Sequence, residues 1–260
     1  VADESAPEMS DDGTITLVPS VHFSETHRRR VRATIRESEP DLVAVELDES
    51  RFERLERRDR PEPTELAREL PPATAAAYTT LKAIQRTVVR LYGLDPGQTD
   101  MEAAVETAAE RDTDVALIDD PIAETVGELS SRIGPETLPK IAFRMGAMGP
   151  AEYATQAELL SLPLKDVRSG DDVQPAIDHL RWLLPEVAAV LVDRRDRAMA
   201  ERLDVLRRDG HDVVAVIGAG HHNGIERTLE ELQTAGADGA PATTVPIRSP
   251  ARSVTRIPIR

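Results

Sequence analysis

Two histidines stand in matching contexts in this sequence. Pro19-Ser20-Val21-His22 closes an apolar run, Ile15–Val21, and Gly218-Ala219-Gly220-His221 closes another, Val213–Ile217. Small residues ahead of each imidazole leave room for a ligand beside the backbone. A single strand-end histidine reads as a polar terminus, but two in the same setting make His22 and His221 candidate metal ligands. Glu46 interrupts the apolar run Leu42–Leu47. A buried ionised carboxylate needs a cation, a metal or a proton. Two readings of Glu46 therefore stay open: a salt bridge to a nearby arginine, or a ligand or general base at the same edge as the histidines. Arg51 shares a helix face with Leu55, four residues on. Val192, Met199, Leu203 and Leu206 fall on one face of a further helix, and Arg195 and Asp196 lie on or beside it. Turned outward, both would be solvated. Turned inward, Arg195 suits a substrate carboxylate or a developing oxyanion.

The chain has no cysteine, which excludes disulfides, thiolate zinc sites and cysteine nucleophiles. Any metal must sit on histidine and carboxylate, a set that suits Mn, Fe, Co or Zn without choosing among them. The glycines of Val213–Gly224 resemble a dinucleotide turn, but the third glycine position falls on Asn223 and Gly224 comes one residue late. They read instead as clearance around His221, with His222 opening the helix that follows.

Four segments read as buried strands: Ile15–Val21, Leu42–Leu47, Asp114–Ile118 and Val213–Ile217. Helical patterns follow each of them, at Glu25–Ser38, Ser50–Arg58, Ile122–Arg132 and His222–Thr234. Strand then helix, repeated, predicts an α/β fold with a central, mainly parallel sheet covered on both faces. With the first and fourth strands central and parallel, both imidazoles leave the same edge, where ligands of open sheets sit. Residues 1–13 read as a disordered tail and 14–260 as one domain with helical insertions at about 61–101 and 135–208. The first insertion carries a helix over Pro72–Leu91 and a turn leading into another helix. The proline-containing C-terminus predicts two short edge strands.

The net charge of -15 argues against nucleic acid as a partner. Of 32 basic residues only Lys82, Lys140 and Lys165 are lysine, the surface expected of a protein kept soluble at high salt, as in a halophilic archaeon, or of a high-GC genome writing Arg for Lys. No apolar run is long enough to span a bilayer, and the acidic start has no signal-peptide pattern, so a cytoplasmic protein is expected.

Together these segments resemble the TraB/PrgY family, which is related to the TIKI proteins. The resemblance covers about Thr14 to Leu232 and rests on "PSVHFS", "PDLVAVELDESR", "YGLDPGQTDM", "LIDDPI", "LVDRRDRAMAERL" and "VVAVIGAGHHNGI". It implies a fold similar to erythromycin-esterase-like and haem-associated iron-binding proteins. It also implies a metal-dependent hydrolytic site, with His22, His221 and Glu46 as ligands, Glu46 and Arg195 in catalysis, and Arg51 and Asp196 in neighbouring motifs. A peptidase acting on peptides is the expectation. The alternatives are a peptide- or metal-sequestering module, as in pheromone shutdown, and a metal-independent esterase. The substrate is a peptide or small molecule, and the oligomeric state stays open between monomer and homodimer. Family members that continue into C-terminal membrane helices would make the full-length protein membrane-associated. Two departures stand out: Pro19 replaces a glycine, and Asp120-Pro121 stands where a basic residue is common.

Overall fold

The computed structural model describes residues 12–21, 24–57, 99–132, 137–150, 166–234 and 243–249. His22, the N-terminal tail, the helix expected at Pro72–Leu91 and the second C-terminal strand lie outside the described residues. The strands are β1 (Ile15–Ser20), β2 (Leu42–Val45), β3 (Asp114–Leu117), β4 (Val213–Gly218) and β5 (Ile247–Arg248). The helices used below are α1 (Glu25–Ser38), α2 (Glu49–Glu56), α3 (Asp100–Arg111), α4 (Ile122–Arg132), α5 (Thr137–Gly146), α6 (Gln174–Leu183), the short α7 (Pro185–Ala188), α8 (Arg194–Arg208) and α9 (His222–Thr234).

The five strands form one sheet in the order β1-β4-β2-β3-β5, parallel except for β5, which runs antiparallel to β3. The expectation of a mainly parallel α/β sheet is met. One detail differs: among the described residues β1 is an edge strand and not a central one. That position explains Pro19, because a missing backbone N–H costs no ladder bond on an outer edge.

Side-chain alternation splits the core in two. Val43, Val115 and Val214 share the face covered by α1, α2 and α3, with Ile35, Phe52 and Met101 packed on them. Ala44, Ala116 and Ala215 lie in register on the opposite face. Their small size lets α8 and α9 lie close, burying Met199, Leu203, Leu206 and Ile225. Each such large apolar side chain removed from water contributes roughly 1.5–3 kcal/mol. The last strand in sequence, β4, is threaded between β1 and β2. This crossing carries the Gly218–His221 turn to the place where Glu46 leaves β2.

Candidate functional site

Glu46 is the first residue past β2 and stays in the ladder, its amide donating to the Val216 carbonyl at 3.3 Å. Its side chain continues the Leu42, Ala44 alternation and so enters the face covered by α8. It is buried, and both carboxylate oxygens are engaged. Oε2 accepts the Gly218 amide N–H at 2.7 Å, and Oε1 takes the Arg195 guanidinium.

Arg195 reaches this carboxylate because a π-helical turn, Ala189–Asp193, precedes α8. Such turns re-aim the residues that follow them and recur at functional sites. Arg195 turns inward and forks onto Asp119, Nε to Oδ1 at 3.0 Å and NH2 to Oδ2 at 2.7 Å. Its NH1 donates to the Leu191 carbonyl at 3.3 Å and lies 3.0 Å from His221 Nε2. Burial opposes the charge on Arg195, but Glu46 and then Asp119 outweigh it and hold its pKa above the usual guanidinium range. Asp119 shows the reciprocal effect. Burial pushes its carboxyl up, and Arg195 followed by Arg51 more than offsets that, so the net direction is down.

Arg51 links this pair to a second carboxylate. It bonds Asp119 Oδ2 and donates from Nε to Asp48 Oδ2 at 2.8 Å. Asp48 in turn caps α2, accepting the Arg51 amide at 2.9 Å, and takes the Ile122 amide at the start of α4 at 3.0 Å. Against the burial that would raise it, Arg51 and these hydrogen bonds hold Asp48 below the usual carboxylate range.

His221 ends the short 3-10 turn after β4. Its Nδ1 lies 2.5 Å from Asp196 Oδ1, and its Nε2 lies 3.5 Å from Glu46 Oε1. With Nδ1–H donating to Asp196, the Nε2 lone pair is directed at the Glu46–Arg195 pair, the orientation that a carboxylate behind the ring gives a metal-binding histidine. Burial raises the Asp196 carboxyl above its ordinary range, and its bond to His221 only partly offsets this.

Gly224 has a steric role here. A Cβ at this position would collide with Asp196 Oδ2, which is buried and has no hydrogen-bond partner among the described residues. The glycine that arrives one residue late for a nucleotide turn is thus the one that admits Asp196 to the histidine. Gly224→Ala is expected to push Asp196 off His221 and to cost about 1–3 kcal/mol. Gly127, in α4, has open space around it and is the control. Gly127→Ala is expected to be neutral or to stabilise by roughly 0.4–1 kcal/mol. Urea unfolding of the two variants checks both. Equal midpoints would contradict the steric role of Gly224.

Of the residues singled out in the sequence, Glu46, Arg51, Arg195, Asp196 and His221 converge at the strand C-terminal edge. His22 lies outside the described residues, although β1 brings Ser20 into register with Gly218, next to the His221 turn. His222 opens α9 and bonds Asn223 rather than the site. The salt-bridge reading of Glu46 is realised in Arg195, and Arg195 takes the inward option. Sequence reasoning missed Asp119 and Asp48. Asp119 follows the buried run Val115–Ile118 just as Glu46 follows Leu42–Val45, and that parallel was the available signal. Asp120, at the second departure from the family pattern, pairs with Arg202 at 2.8 Å and Arg194 at 3.2 Å, tying α8 to the entry of α4.

Among the described residues no three His, Cys, Asp or Glu side chains form a metal-holding group by themselves. The described part of the donor set nevertheless fits a cation. Two ligands at about 2.1 Å from one ion and a tetrahedral angle apart are separated by roughly 3.4 Å. His221 Nε2 and Glu46 Oε1, at 3.5 Å, match that span. The charges agree as well. Glu46, Asp48 and Asp119 meet Arg51 and Arg195, three carboxylates to two guanidiniums, while Asp196 pairs with His221, so the cluster carries an excess of acidic groups that a cation would offset.

The chain is 30% identical over 222 residues to an uncharacterized protein of Methanocaldococcus jannaschii, a match covering 84% of this chain and 54% of that relative. The chain therefore spans about half the length of the curated relative it matches. The model of the TraB/PrgY/gumN family matches residues 8–238. The chain belongs to the TraB/PrgY/gumN family.

Proposed function

We propose that the protein is a metal-dependent hydrolase acting on peptide bonds. The observation that carries this reading is the alignment of Asp196, His221 and Glu46, which presents one imidazole nitrogen and one carboxylate oxygen at a spacing suited to a divalent ion. His221 and Glu46 are the described residues that would hold the metal, with His22 as the third ligand from the sequence pattern. Bound there, Mn, Co, Fe or Zn supplies Lewis acidity toward a substrate carbonyl and acidifies water.

The chain's own residues supply the rest. Asp196 fixes the His221 tautomer and ring orientation. The Gly218 amide holds Glu46 Oε2 and Arg195 holds Oε1, so the carboxylate is fixed with Oε1 on the His221 side. Arg195 gives up its NH1 contact with His221 and offers that donor to the oxyanion that develops on the carbonyl. The fork onto Asp119 keeps the guanidinium planar and in place while it does so. Arg51 and Asp48 anchor Asp119 in turn.

One observation favours a second reading, a peptide- or metal-binding module without turnover. Both Glu46 oxygens already carry hydrogen bonds, which weakens Glu46 as a general base. A peptide library incubated with the protein, with and without Mn or Co, separates the two. Metal-stimulated cleavage that is lost in His22→Ala and His221→Ala supports the hydrolase, binding without cleavage supports the module, and hydrolysis of an ester substrate that survives a chelator supports a metal-independent esterase.

A further inference from the structure

His27 is 1% exposed, lies on the first turn of α1 and takes no part in the site described above. Its ring bridges two backbone segments far apart in sequence. Nδ1 accepts the Val21 amide N–H at 2.9 Å, and Nε2 donates to the Val167 carbonyl at 2.8 Å. Only one neutral tautomer satisfies both bonds. Arg30, one helical turn on, repeats the bridge. It donates from NH1 to the same Val167 carbonyl at 3.3 Å and from NH2 to the Pro19 carbonyl. The end of β1 is thereby tied twice to the segment around Val167.

That segment also grips the other turn. Val167 and Val173 pack with Ala219 of the His221 turn and with Val21 in one small apolar cluster. Asn223, just past His221, donates to Asp171 Oδ1 at 2.9 Å and to Gln174 Oε1 at 3.1 Å. Gly170 lies so close to Asn223 that a side chain there would collide with it, and a Cβ on Gly220 would stand only 3.0 Å from Ile177 Cδ1. Residues 166–174 therefore form a brace whose one end is held by His27 and Arg30 and whose other end is seated on Ala219–Asn223.

We infer that His27 is a positioning residue: through the Val167 carbonyl it fixes the end of β1 relative to the Gly218–His221 turn. The two turns are neighbours across the β1–β4 ladder, but that ladder ends at Ser20 and Gly218. Beyond it, the brace supplies the long-range connection between Val21 and Ala219. Where the hydrolase reading holds, the same connection sets the spacing of the two histidine motifs and so the affinity for the metal.

The test uses the full 260-residue chain with His27→Leu and His27→Gln. Leucine removes both hydrogen bonds, whereas glutamine keeps one acceptor and one donor and guards against a general failure to fold. Amide hydrogen exchange without added metal reads the brace directly. In His27→Leu, Val21 and the amides of Ala219–His221 are expected to exchange at least about tenfold faster together, with the β2 and β3 amides unchanged. His27→Gln is expected to restore both turns in parallel. Acceleration at Val21 alone, with Ala219–His221 unchanged in both variants, would overturn the inference.

Calorimetric titration with Mn then reads the connection to the proposed function. A loss of about 10–100-fold in affinity for His27→Leu, recovered in part by His27→Gln, is expected. Wild-type affinity in His27→Leu would overturn the link to the site. Absence of Mn binding in the wild type would instead count against the hydrolase reading, and the exchange result would still decide the brace.

Discussion

Replacing Arg195 with alanine is expected to lower the unfolding free energy by about 3–5 kcal/mol, the largest stability effect of any single substitution in the site. The reason is not the loss of attraction alone. Glu46 and Asp119 are both buried, and without the guanidinium each is a charge held out of water. Arg195→Lys keeps the charge but loses the two-pronged bond to Asp119, so it is expected to fall between alanine and wild type. Adding Asp119→Asn to Arg195→Ala is expected to recover part of the loss, because a buried charge left with Arg51 alone disappears. Urea unfolding of the single and double variants measures this as a coupling energy. An Arg195→Ala protein as stable as wild type would contradict the account.

The same pair sets an acid limb. Asp119 has a folded-state pKa below its unfolded one. Its contribution is therefore complete above the unfolded value of about 4 and is lost as pH falls through the depressed folded value. Asp119→Asn is expected to be less stable than wild type at neutral pH and to flatten that acid limb.

The second large effect concerns His221. His221→Ala is expected to abolish metal-stimulated peptide cleavage, a loss of about a thousandfold or more if the cation supplies the usual Lewis-acid catalysis. Asp196→Asn is expected to be milder. The ring keeps its place in the fold but loses the anionic partner that orients it, and metal affinity falls by roughly 10–100-fold. Cleavage rates against metal concentration distinguish the two variants. His221→Ala should not be rescued at any concentration, whereas Asp196→Asn should recover as metal is added. Equal losses that no metal concentration changes would argue that Asp196 does more than orient the ring.

The architecture was legible because strand and helix periods are properties of short windows. α1, α4 and α9 begin and end where the apolar pattern and its flanking residues say they should. Strand order was not legible. That β4 lies between β1 and β2, with β1 at the edge, depends on packing between segments some 200 residues apart in sequence. That one topological fact is what puts His221 beside Glu46. Glu46, Arg195 and His221 could be singled out because each breaks a local pattern: a charge in a buried strand, an arginine on an apolar helix face, an imidazole after a glycine turn. Asp119 breaks a pattern too, following the buried run Val115–Ile118, but its partners Arg195 and Arg51 come from distant segments. His27 gave no local signal at all. Its role follows from Val167, 140 residues away in the chain. Gly224 was visible and misassigned, because its partner Asp196 comes from another helix.

The most direct test of the central claim is a Co titration of the wild-type chain followed by visible absorption, with His221→Ala in parallel. The account predicts one Co per chain, with the intense d–d bands of a low-coordinate nitrogen and oxygen site, and no such site in His221→Ala. A wild-type protein that gains no bands, or a His221→Ala protein that binds Co as wild type does, would contradict it.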